Sequence, residues 1–199
     1  MGNIYVGVNG IARKADKIYV GVDGIARQVQ KIYVGVDGIA REVYTAFTPA
    51  YLTGYAMVKD DKFSCDSGEK SGYYSYGGSY SGTTSSSGDI MISSLSAFAT
   101  VEDAYCQLLL KNGYTKASVT AYVQNKLSAY HYWDASIVVG GETKQSKSGE
   151  YIGAGNDNRI TGAYSIPTSG GISVRSKYWD SYSFGCAGDF VRAFISFSK

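Results

Sequence analysis

The first 44 residues repeat one pattern of apolar and polar positions three times, with a period of 14 residues. The phrase IYVGVNGIAR begins at Ile4, and near copies begin at Ile18 and Ile32. Each copy places strand-like residues on both sides of Asn-Gly or Asp-Gly, a strong hairpin signal because a type I′ turn needs positive φ at both central positions. The pattern therefore predicts three tandem β-hairpin repeats over residues 1–44.

A two-residue turn also fixes which residues pair across each hairpin. In the first copy it pairs Val8 with Ile11 and Val6 with Arg13, so one face of the hairpin is largely apolar. A hairpin has no second layer to bury that face, and repeat units of this kind need neighbours to do so. We expect the repeats to serve assembly or attachment in a homo-oligomer, with a trimer as the first expectation. The alternative is that they pack against the body of their own chain.

The 14-residue period ends before a segment with the sequence TAFTPAYLTGY, which we interpret as a linker over residues 45–55. The body, residues 56–199, contains short alternating segments separated by Gly, Asn and Ser, typical of a β-sandwich or jelly roll. The C-terminal segment is apolar at both odd and even positions, which predicts a central strand. The later strand-like segments lie at 116–127, 130–141, 150–155, 159–167, 170–179 and 189–199.

One helix interrupts this mostly β pattern, at about residues 100–112. Thr100 and Asp103 have the spacing of a capping box, and Asn112-Gly113 is a typical helix end. The positions Val101, Ala104, Tyr105, Leu108 and Leu109 fall on one apolar face. The helix is therefore expected to cover a sheet or one end of a barrel.

Composition and charge narrow the possible partners. Hydrophobic residues make up 44% of the chain, but no apolar run approaches the roughly 20 residues needed to span a bilayer, and no secretory layout opens the sequence. We therefore expect a soluble protein made in the cytoplasm, with no membrane partner. Lys and Arg are not clustered, and residues 45–199 carry thirteen cationic and thirteen acidic side chains. This balance argues against nucleic acid as a partner.

A segment without charge follows early in the body, at residues 71–88. It contains seven Ser, five Gly, four Tyr and two Thr. Tyrosine supplies large and fairly rigid contact area while Ser and Gly adapt around it, as in antibody loops. We therefore take Tyr73, Tyr74, Tyr76 and Tyr80 as candidate ligand-binding residues. The alternative is a flexible surface loop or an edge hairpin weakened by glycine.

The second candidate site is a repeated Tyr-Trp-Asp phrase that contains both tryptophans of the chain. It occurs as Tyr132-Trp133-Asp134 and as Tyr178-Trp179-Asp180. Aromatic rings beside a carboxylate can stack on sugar rings and bind their hydroxyls. A sandwich core also needs large rings, so the same residues fit a structural role.

Catalytic and metal-binding patterns are weak. The single histidine, His131, accompanies no G-x-S-x-G motif, and residues 155–159 lack calcium-loop spacing. The three cysteines, Cys65, Cys106 and Cys186, have no metal-ligand spacing; they fit free thiols, or one disulfide and one thiol. A glycosidase needs two facing carboxylates, which Asp134, Glu142, Glu150 or Asp180 would supply only by coincidence. We predict no enzymatic activity, no cofactor and no metal.

The tandem YVGV[ND]GIAR phrases resemble repeats in tail and tail-appendage proteins of tailed bacteriophages and prophages of Gram-positive bacteria. The resemblance covers about 44 of the 199 residues. It implies a virion structural protein of the receptor-binding or fibre type, located in the tail near its host-contacting end, with other virion tail proteins as partners. Together with the aromatic candidates, it predicts contact with host cell-wall glycan. The alternatives are a bacterial surface adhesin or carbohydrate-binding module, and a purely structural virion component.

Overall fold

The computed structural model describes most of the 199 residues and divides the chain into two compact units, residues 1–48 and 49–199. The described residues are 5–8, 11–15, 18–22, 24–29, 31–36, 39–45, 47–60, 62–86, 89–126, 131–185 and 189–199. In residues 5–8, 11–14, 34–36, 39–45 and 180–185, only the backbone is described. The two units are described separately below.

The first unit contains three separate two-stranded antiparallel sheets, one for each repeat. They are formed by β1 (Tyr5–Val8) with β2 (Ile11–Lys14), β3 (Tyr19–Val22) with β4 (Ile25–Gln28), and β5 (Lys31–Val36) with β6 (Ile39–Thr45). Val8 lies opposite Ile11, and Val22 lies opposite Ile25, as the turn length predicts. Gly24 has φ of 77°, a conformation required in a type I′ turn. The three predicted hairpins are therefore confirmed, and so is the pairing next to each turn; in the third hairpin the register shifts between Ile32 and Tyr33.

The second hairpin exposes apolar side chains on both of its faces. Val20, Val22 and Ile25 on one face are 50%, 41% and 59% exposed, and Tyr19 on the other is 54% exposed. A two-stranded hairpin is marginal in water without a packed face. The exposed apolar positions of β3 and β4 are consistent with the expectation that something other than the hairpin itself covers them.

The second unit consists of two antiparallel sheets and one helix. Its strands are β7 (Leu52–Lys59), β8 (Lys62–Cys65), β9 (Glu69–Lys70), β10 (Tyr74–Thr84), β11 (Ile90–Val101), β12 (Lys116–Gln124), β13 (His131–Val139), β14 (Glu142–Ile152), β15 (Asp157–Ser165), β16 (Ile172–Gly185) and β17 (Phe190–Ser198). The six-stranded sheet has the order β14-β13-β16-β11-β10-β9. The five-stranded sheet has the order β15-β12-β17-β7-β8.

This strand order is that of a jelly roll. Four strands, β15-β12-β17-β7, face four others, β14-β13-β16-β11, and β8, β9 and β10 extend the two sheets at one edge. From β11 onward the chain changes sheet at each connection except the β13–β14 hairpin, as two Greek keys require. The predicted fold class, a mostly β chain with a jelly-roll-like sandwich, is confirmed.

The core lies between the two sheets and is built from alternate positions of their strands. β17 is central in its sheet, as predicted, and its Val191, Ala193 and Ile195 are fully buried. Side chains of Leu52, Val58, Leu95, Val119, Ile137 and Val174 are also fully buried. Burying an aliphatic side chain of this size contributes about 1.5–3 kcal/mol, so these rows are the main source of stability.

The helix, α1, spans Asp103–Lys111 and is shorter than predicted. Thr100 belongs to β11, where it pairs with Ser173, and the N-cap is Glu102, which makes no side-chain capping hydrogen bond. The predicted capping box is therefore wrong, because Thr100 is paired in the sheet and cannot cap the helix. The C-terminal end is as predicted: the N–H of Gly113, at φ 78°, donates to the Leu110 carbonyl at 3.0 Å.

The buried face of α1 also differs in part from the predicted one. Tyr105, Cys106 and Leu109 are buried, whereas Ala104 is exposed. The buried stripe of α1 is therefore shifted from Ala104 toward Cys106, because that side of the helix packs against the sandwich. No helix in the described part of the chain is long and apolar enough to cross a membrane.

The boundary between the units lies near Pro49. The compact units meet between Thr48 and Pro49, inside the segment interpreted as a linker. The strand β7, however, begins at Leu52 and pairs with β17, so residues 52–55 are part of the sandwich and the body begins earlier than residue 56. The sequence segment looked irregular because its Gly54 and Pro49 are weak strand formers.

Candidate functional site

The two Tyr-Trp-Asp phrases lie side by side on the adjacent antiparallel strands β13 and β16. Tyr132 is opposite Trp179, and Trp133 is opposite Tyr178. Cross-strand partners lie on the same face of a sheet, and successive residues lie on opposite faces. Each phrase therefore supplies one ring to the core and one ring to the outer face of the six-stranded sheet.

Two of the four rings are core residues. Trp133 and Tyr178 are 0% exposed. The Trp133 Nε1–H donates to the Ser176 hydroxyl at 2.9 Å, and that hydroxyl donates to the Tyr122 carbonyl at 2.9 Å. Their predicted role in ligand binding is therefore wrong, because they have the same strand parity as the buried side chains Ala135 and Ile137.

The other two rings lie on the outer face, and a third ring continues their line. Tyr132 and Trp179 stack with centroids 5.0 Å apart and an interplanar angle of 30°. Tyr151 lies opposite Tyr132 on β14, with centroids 6.5 Å apart and an angle of 74°. Tyr151 is 53% exposed, Tyr132 is 38% exposed, and Trp179 is half-buried. We call Tyr151, Tyr132 and Trp179 the outer aromatic row.

Tyr151 was not a predicted site residue, and its position depends on two irregularities in the β13–β14 pairing. The tight turn pairs Val139 with Glu142, and continuing that register would place Gly149 opposite Tyr132. Register shifts between Trp133 and Ala135 and between Ile137 and Val138 bring Tyr151 there instead. A bulge inserts one extra residue into a strand. Two bulges shift the partner of Tyr132 by two positions, from Gly149 to Tyr151, and because the shift is even, the new partner lies on the same face of the sheet.

Polar side chains surround the outer aromatic row. Asp134 accepts a hydrogen bond from the Gly149 N–H at 2.7 Å and lies opposite Lys177, while Ser94 lies opposite Trp179. Asp134 thereby holds the irregular segment of β14 that carries Tyr151. The side chain of Asp180, the last predicted member of this site, lies outside the described residues. Flat rings bordered by hydroxyl, carboxylate and ammonium groups form a surface suited to sugar rings and their hydroxyls.

The tyrosines of residues 71–88 belong to a strand rather than a loop. Tyr74 and Tyr76 in β10 lie opposite Val101 and Ala99, and Tyr80 lies opposite Leu95, so all three face the interior side of their sheet. At the edge of the sandwich, the Tyr80 ring stacks on Phe63, with centroids 4.7 Å apart and an angle of 4°. This arrangement agrees with the glycine-containing hairpin that was the alternative interpretation.

The exposed parts of these tyrosines are arranged around one carboxylate. The hydroxyls of Tyr74 and Tyr76 each donate to Glu69, at 3.2 Å. Burial, followed by the hydrogen bond and charge of Glu69, raises the pKa of both phenols. Tyr73 is 48% exposed, and its ring lies 5.9 Å from that of Tyr105. The four predicted residues thus do not form a single contact surface.

A shallow pocket of about 390 Å³ lies beside Glu69. Its walls are formed by Ser67, Gly68, Glu69, Lys70, Ser75, Tyr76 and Phe98. Because the Glu69 carboxylate already accepts two phenol hydroxyls, much of its hydrogen-bonding capacity is used within the protein. The pocket is a weaker ligand surface than the outer aromatic row.

Two of the four carboxylates considered for catalysis, Glu142 and Glu150, are paired with lysines. Glu142 pairs with Lys144, and Glu150 accepts hydrogen bonds from Lys147 at 2.7 Å and Asn158 at 2.9 Å. These interactions lower the pKa of both glutamates, whereas a general acid at neutral pH needs a raised pKa. His131 is fully buried, with its ring stacked 4.3 Å from Tyr178.

The cysteines and acidic residues do not form a metal site within the described ranges. No group of three or more His, Cys, Asp and Glu side chains there is placed to hold a metal ion. Cys65 and Cys106 are free thiols, and burial raises the pKa of Cys106 to about 11. Cys186 lies outside the described residues.

Comparisons with known proteins return structural neighbours only. No protein-family model matches the sequence, and a search of curated protein sequences gave no match. The CBM22-1 xylan-binding domain from Paenibacillus barcinonensis matches with a TM-score of 0.29 and 11% identity over 73% of this chain and 93% of that domain.

Two structures of infectious bursal disease virus also match, the VP2 subviral particle with a TM-score of 0.25 and 19% identity, and a viral particle with a TM-score of 0.23 and 16% identity. They align with 82% and 89% of this chain, which covers 34% and 37% of the viral chains. The solved structures similar to this chain thus include a carbohydrate-binding domain and viral particle proteins.

Proposed function

We propose that this chain is a non-enzymatic structural protein of a phage tail appendage whose sandwich domain binds host cell-wall glycan. The outer aromatic row carries the glycan-binding part of the proposal, and the YVGV[ND]GIAR repeats carry the tail-appendage part. The proposed location is the tail of the virion, with other tail proteins and further copies of the chain as partners.

The outer aromatic row supports saccharide binding because three neighbouring rings are presented on a rigid sheet. Tyr151, Tyr132 and Trp179 come from three adjacent strands, so the row extends across the sheet by about two strand spacings, or roughly 10 Å. Apolar C–H faces of a sugar can lie against such rings while Asp134 and Lys177 are available to its hydroxyls. The burial of Trp133 and Tyr178 on the opposite side holds these strands in place.

Several contacts favour a binding role over catalysis. Glu142 and Glu150 are paired with lysines and have lowered pKa values, which is unfavourable for proton donation to a leaving group. One carboxylate oxygen of Asp134 accepts the Gly149 N–H, and a ligand hydroxyl can donate to the other. The polar groups around the outer aromatic row are thus arranged to orient a ligand.

The proposal is tested by binding of soluble cell-wall saccharide fragments to the full chain, measured by calorimetry and by tryptophan fluorescence. We expect saturable quenching from Trp179 and a loss of affinity of about tenfold or more in Tyr132→Ala and in Tyr151→Ala, since a central stacked anchor is worth more than about 1 kcal/mol. Tyr19→Ala is the matched control, because Tyr19 is 54% exposed but lies in the repeat unit. It should bind like the parent chain.

The other interpretations predict different results in these and related binding assays. Binding that is lost in a Tyr73→Ser/Tyr80→Ser variant and retained in Tyr132→Ala would move the site to β10. Binding of the chain to appendage-deficient virus particles, without binding to cells or saccharides, would support a purely structural virion component. Release of reducing ends from the fragments would contradict the non-enzymatic proposal.

A further inference from the structure

The outer face of the five-stranded sheet carries a second arrangement of charged and aromatic residues, on the other side of the sandwich. Arg159 on β15 lies opposite Tyr122 on β12, Tyr122 lies opposite Arg192 on β17, and Arg192 lies opposite Tyr55 on β7. Four neighbouring strands thus present alternating arginine and tyrosine. We call Arg159, Tyr122, Arg192 and Tyr55 the Arg–Tyr row.

Arg192, in the middle of this face, is held rigidly. Its Nε–H donates to the Thr53 hydroxyl at 3.0 Å, and its Nη2 donates to the Tyr51 hydroxyl at 3.3 Å. The guanidinium carbon lies 5.3 Å from the centroid of the Phe194 ring, within the range of a cation–π interaction. A guanidinium fixed in this way loses little side-chain entropy when a ligand binds.

The two arginines retain capacity for an anion. A guanidinium has five N–H groups, and the hydrogen bonds of Arg192 to Thr53 and Tyr51 engage two of them. Within the ranges that the structure describes, the ion pairs are those of Lys144 and Lys147, and neither arginine takes part in one. Cross-strand spacing places the backbones of Arg159 and Arg192 about 10 Å apart, with the Tyr122 ring between them.

Rings and hydroxyls adjoin the arginines on the same face. Phe190 lies 6.0 Å from Tyr122 and 6.3 Å from Tyr55 between ring centroids, and all three rings are half-buried. One row further along, the hydroxyls of Thr120 and Thr161 are 2.8 Å apart. The face therefore combines flat apolar area, hydroxyl groups and two cations on a surface built from regular strands.

We infer that the Arg–Tyr row is a binding site for an anionic polymer of sugar or polyol units, distinct from the outer aromatic row. An acidic group of the polymer, carboxylate or phosphodiester, binds at Arg192, the adjacent sugar or polyol lies over Tyr122, and the next acidic group reaches Arg159. A carboxylate also lies at this face, because Asp157 accepts the Tyr122 hydroxyl at 3.0 Å. Binding a nucleic acid backbone needs many phosphate contacts, and two cations beside a carboxylate are too few for it.

The test measures binding of the full chain to oligogalacturonate, to poly(glycerol phosphate) and to neutral cello-oligosaccharide of similar length. We expect both anionic polymers, or the one whose acidic group fits, to bind in a salt-dependent manner, and the neutral polymer to bind at least tenfold more weakly at this face. Arg192→Gln should weaken anionic binding about tenfold, and Arg159→Gln about threefold, because the first guanidinium is held and the second is exposed.

Matched variants separate binding from folding and from the proposed function. Lys116→Gln removes the same charge from the same sheet face about 20 Å from Tyr122 along β12, and should leave affinity unchanged. Arg192→Lys should restore only part of the affinity, since an ammonium lacks the bidentate geometry. The Tyr132→Ala variant, which tests the outer aromatic row, should bind the anionic polymers normally.

Three results would overturn the inference. One is equal binding of neutral and anionic polymers by the Tyr132→Ala variant, whose outer aromatic row is disrupted. Another is equal loss of affinity in Lys116→Gln and Arg159→Gln, which would indicate nonspecific charge attraction. The third is tighter binding of a single-stranded oligonucleotide than of either oligogalacturonate or poly(glycerol phosphate), in which case the row is a nucleic acid surface. Because Arg159 is exposed, its substitution keeps the test valid even if Arg192→Gln fails to fold.

Discussion

Gly78 on β10 lies close to the backbone of β7 in the other sheet of the sandwich. A Cβ atom built there overlaps the carbonyl oxygen of Tyr55 on β7, and one built at Gly54 overlaps the carbonyl oxygen of Gly77. The Gly78 N–H also donates to the Asp66 carbonyl at 3.1 Å, which ties β10 to the segment after β8. The glycines of this tyrosine-rich strand are therefore required by packing between backbones.

Replacing Gly78 by alanine should lower the free energy of unfolding by about 1–3 kcal/mol or more, because neither backbone can yield without breaking strand pairing. Gly72→Ala is the matched control: it lies in the same segment, and nothing lies within 4 Å of its added Cβ. The control should change stability by less than about 1 kcal/mol. Chemical denaturation of both variants measures the difference, and equal stabilities would contradict the close approach.

The sequence could indicate which residues belong to the site, but it could not show which of them lie on the outer face of the sheet. The repeated phrase suggested Tyr132, Trp133, Tyr178 and Trp179 together as ligand-binding residues, with a core role as the alternative. In the structure Tyr132 and Trp179 lie on the outer face, whereas Trp133 and Tyr178 are core residues. The residue types in the phrase do not show which face each side chain takes, because its first two positions are aromatic in both copies. The parity follows from the aliphatic continuation of β13 at Ala135, Ile137 and Val139, which extends the buried positions.

β10 and the two-residue strand β9 form an element in which one carboxylate organises two phenols. Glu69 accepts hydrogen bonds from Tyr74 and Tyr76, and their pKa values are raised above 10 by burial and by Glu69. The neutral phenols are favoured in the folded chain. Their contribution to stability is therefore complete below about pH 10 and is lost as pH rises through the raised pKa values.

We expect Glu69→Gln to lower the pKa of Tyr74 and Tyr76 toward that of an ordinary tyrosine, leaving only the effect of burial. Ultraviolet titration should show two phenols ionising at lower pH than in the parent chain, and stability should decline less between pH 9 and 11. Glu142→Gln is the control, since Glu142 pairs with Lys144. Identical titration curves for the parent chain and Glu69→Gln would show that the carboxylate does not govern these phenols.

The strand β14 shows why some elements escaped sequence analysis. Only residues 150–155 of this region looked like a strand, whereas β14 spans Glu142–Ile152 and is mostly polar. Its side chains cover the edge of the sandwich: Gln145 donates to the Thr161 carbonyl at 2.8 Å and to the Tyr164 hydroxyl at 2.7 Å. Such cross-sheet contacts replace the apolar alternation on which strand prediction depends.

The whole chain combines a well-packed sandwich with hairpins that expose apolar residues. The sequence predicted this contrast, because the 14-residue period and its turns fix the hairpins locally. It could not supply the order of strands in the jelly roll, which depends on contacts between segments far apart in the chain. How the apolar positions of the repeats are covered is the main question about the intact protein.

We expect the intact chain to form a homo-oligomer, with a trimer as the first expectation, because the second hairpin leaves Val20, Val22 and Ile25 exposed. Multi-angle light scattering over a range of concentrations measures the mass. Replacing these three residues by threonine should shift the mass toward that of a monomer, since apolar area is removed from the interface while β propensity is kept.

The control is threonine in place of the exposed Met91 in the sandwich, which should leave the mass unchanged. A monomeric parent chain, with the same mass as the hairpin variant, would contradict the assembly role of the repeats.

The pairing of Tyr132 with Trp179 and of Trp133 with Tyr178 has a thermodynamic consequence for recognition. The surface rings are carried by the same backbone segments as Trp133 and Tyr178, which are fully buried, and Trp133 is also hydrogen-bonded to Ser176. The strands beneath the surface rings are therefore ordered before any ligand arrives. Little backbone entropy remains to be lost on binding. Saccharide binding at this face should therefore show a small entropic penalty from the protein, and its affinity should depend mainly on how well the ligand's own shape is fixed in solution.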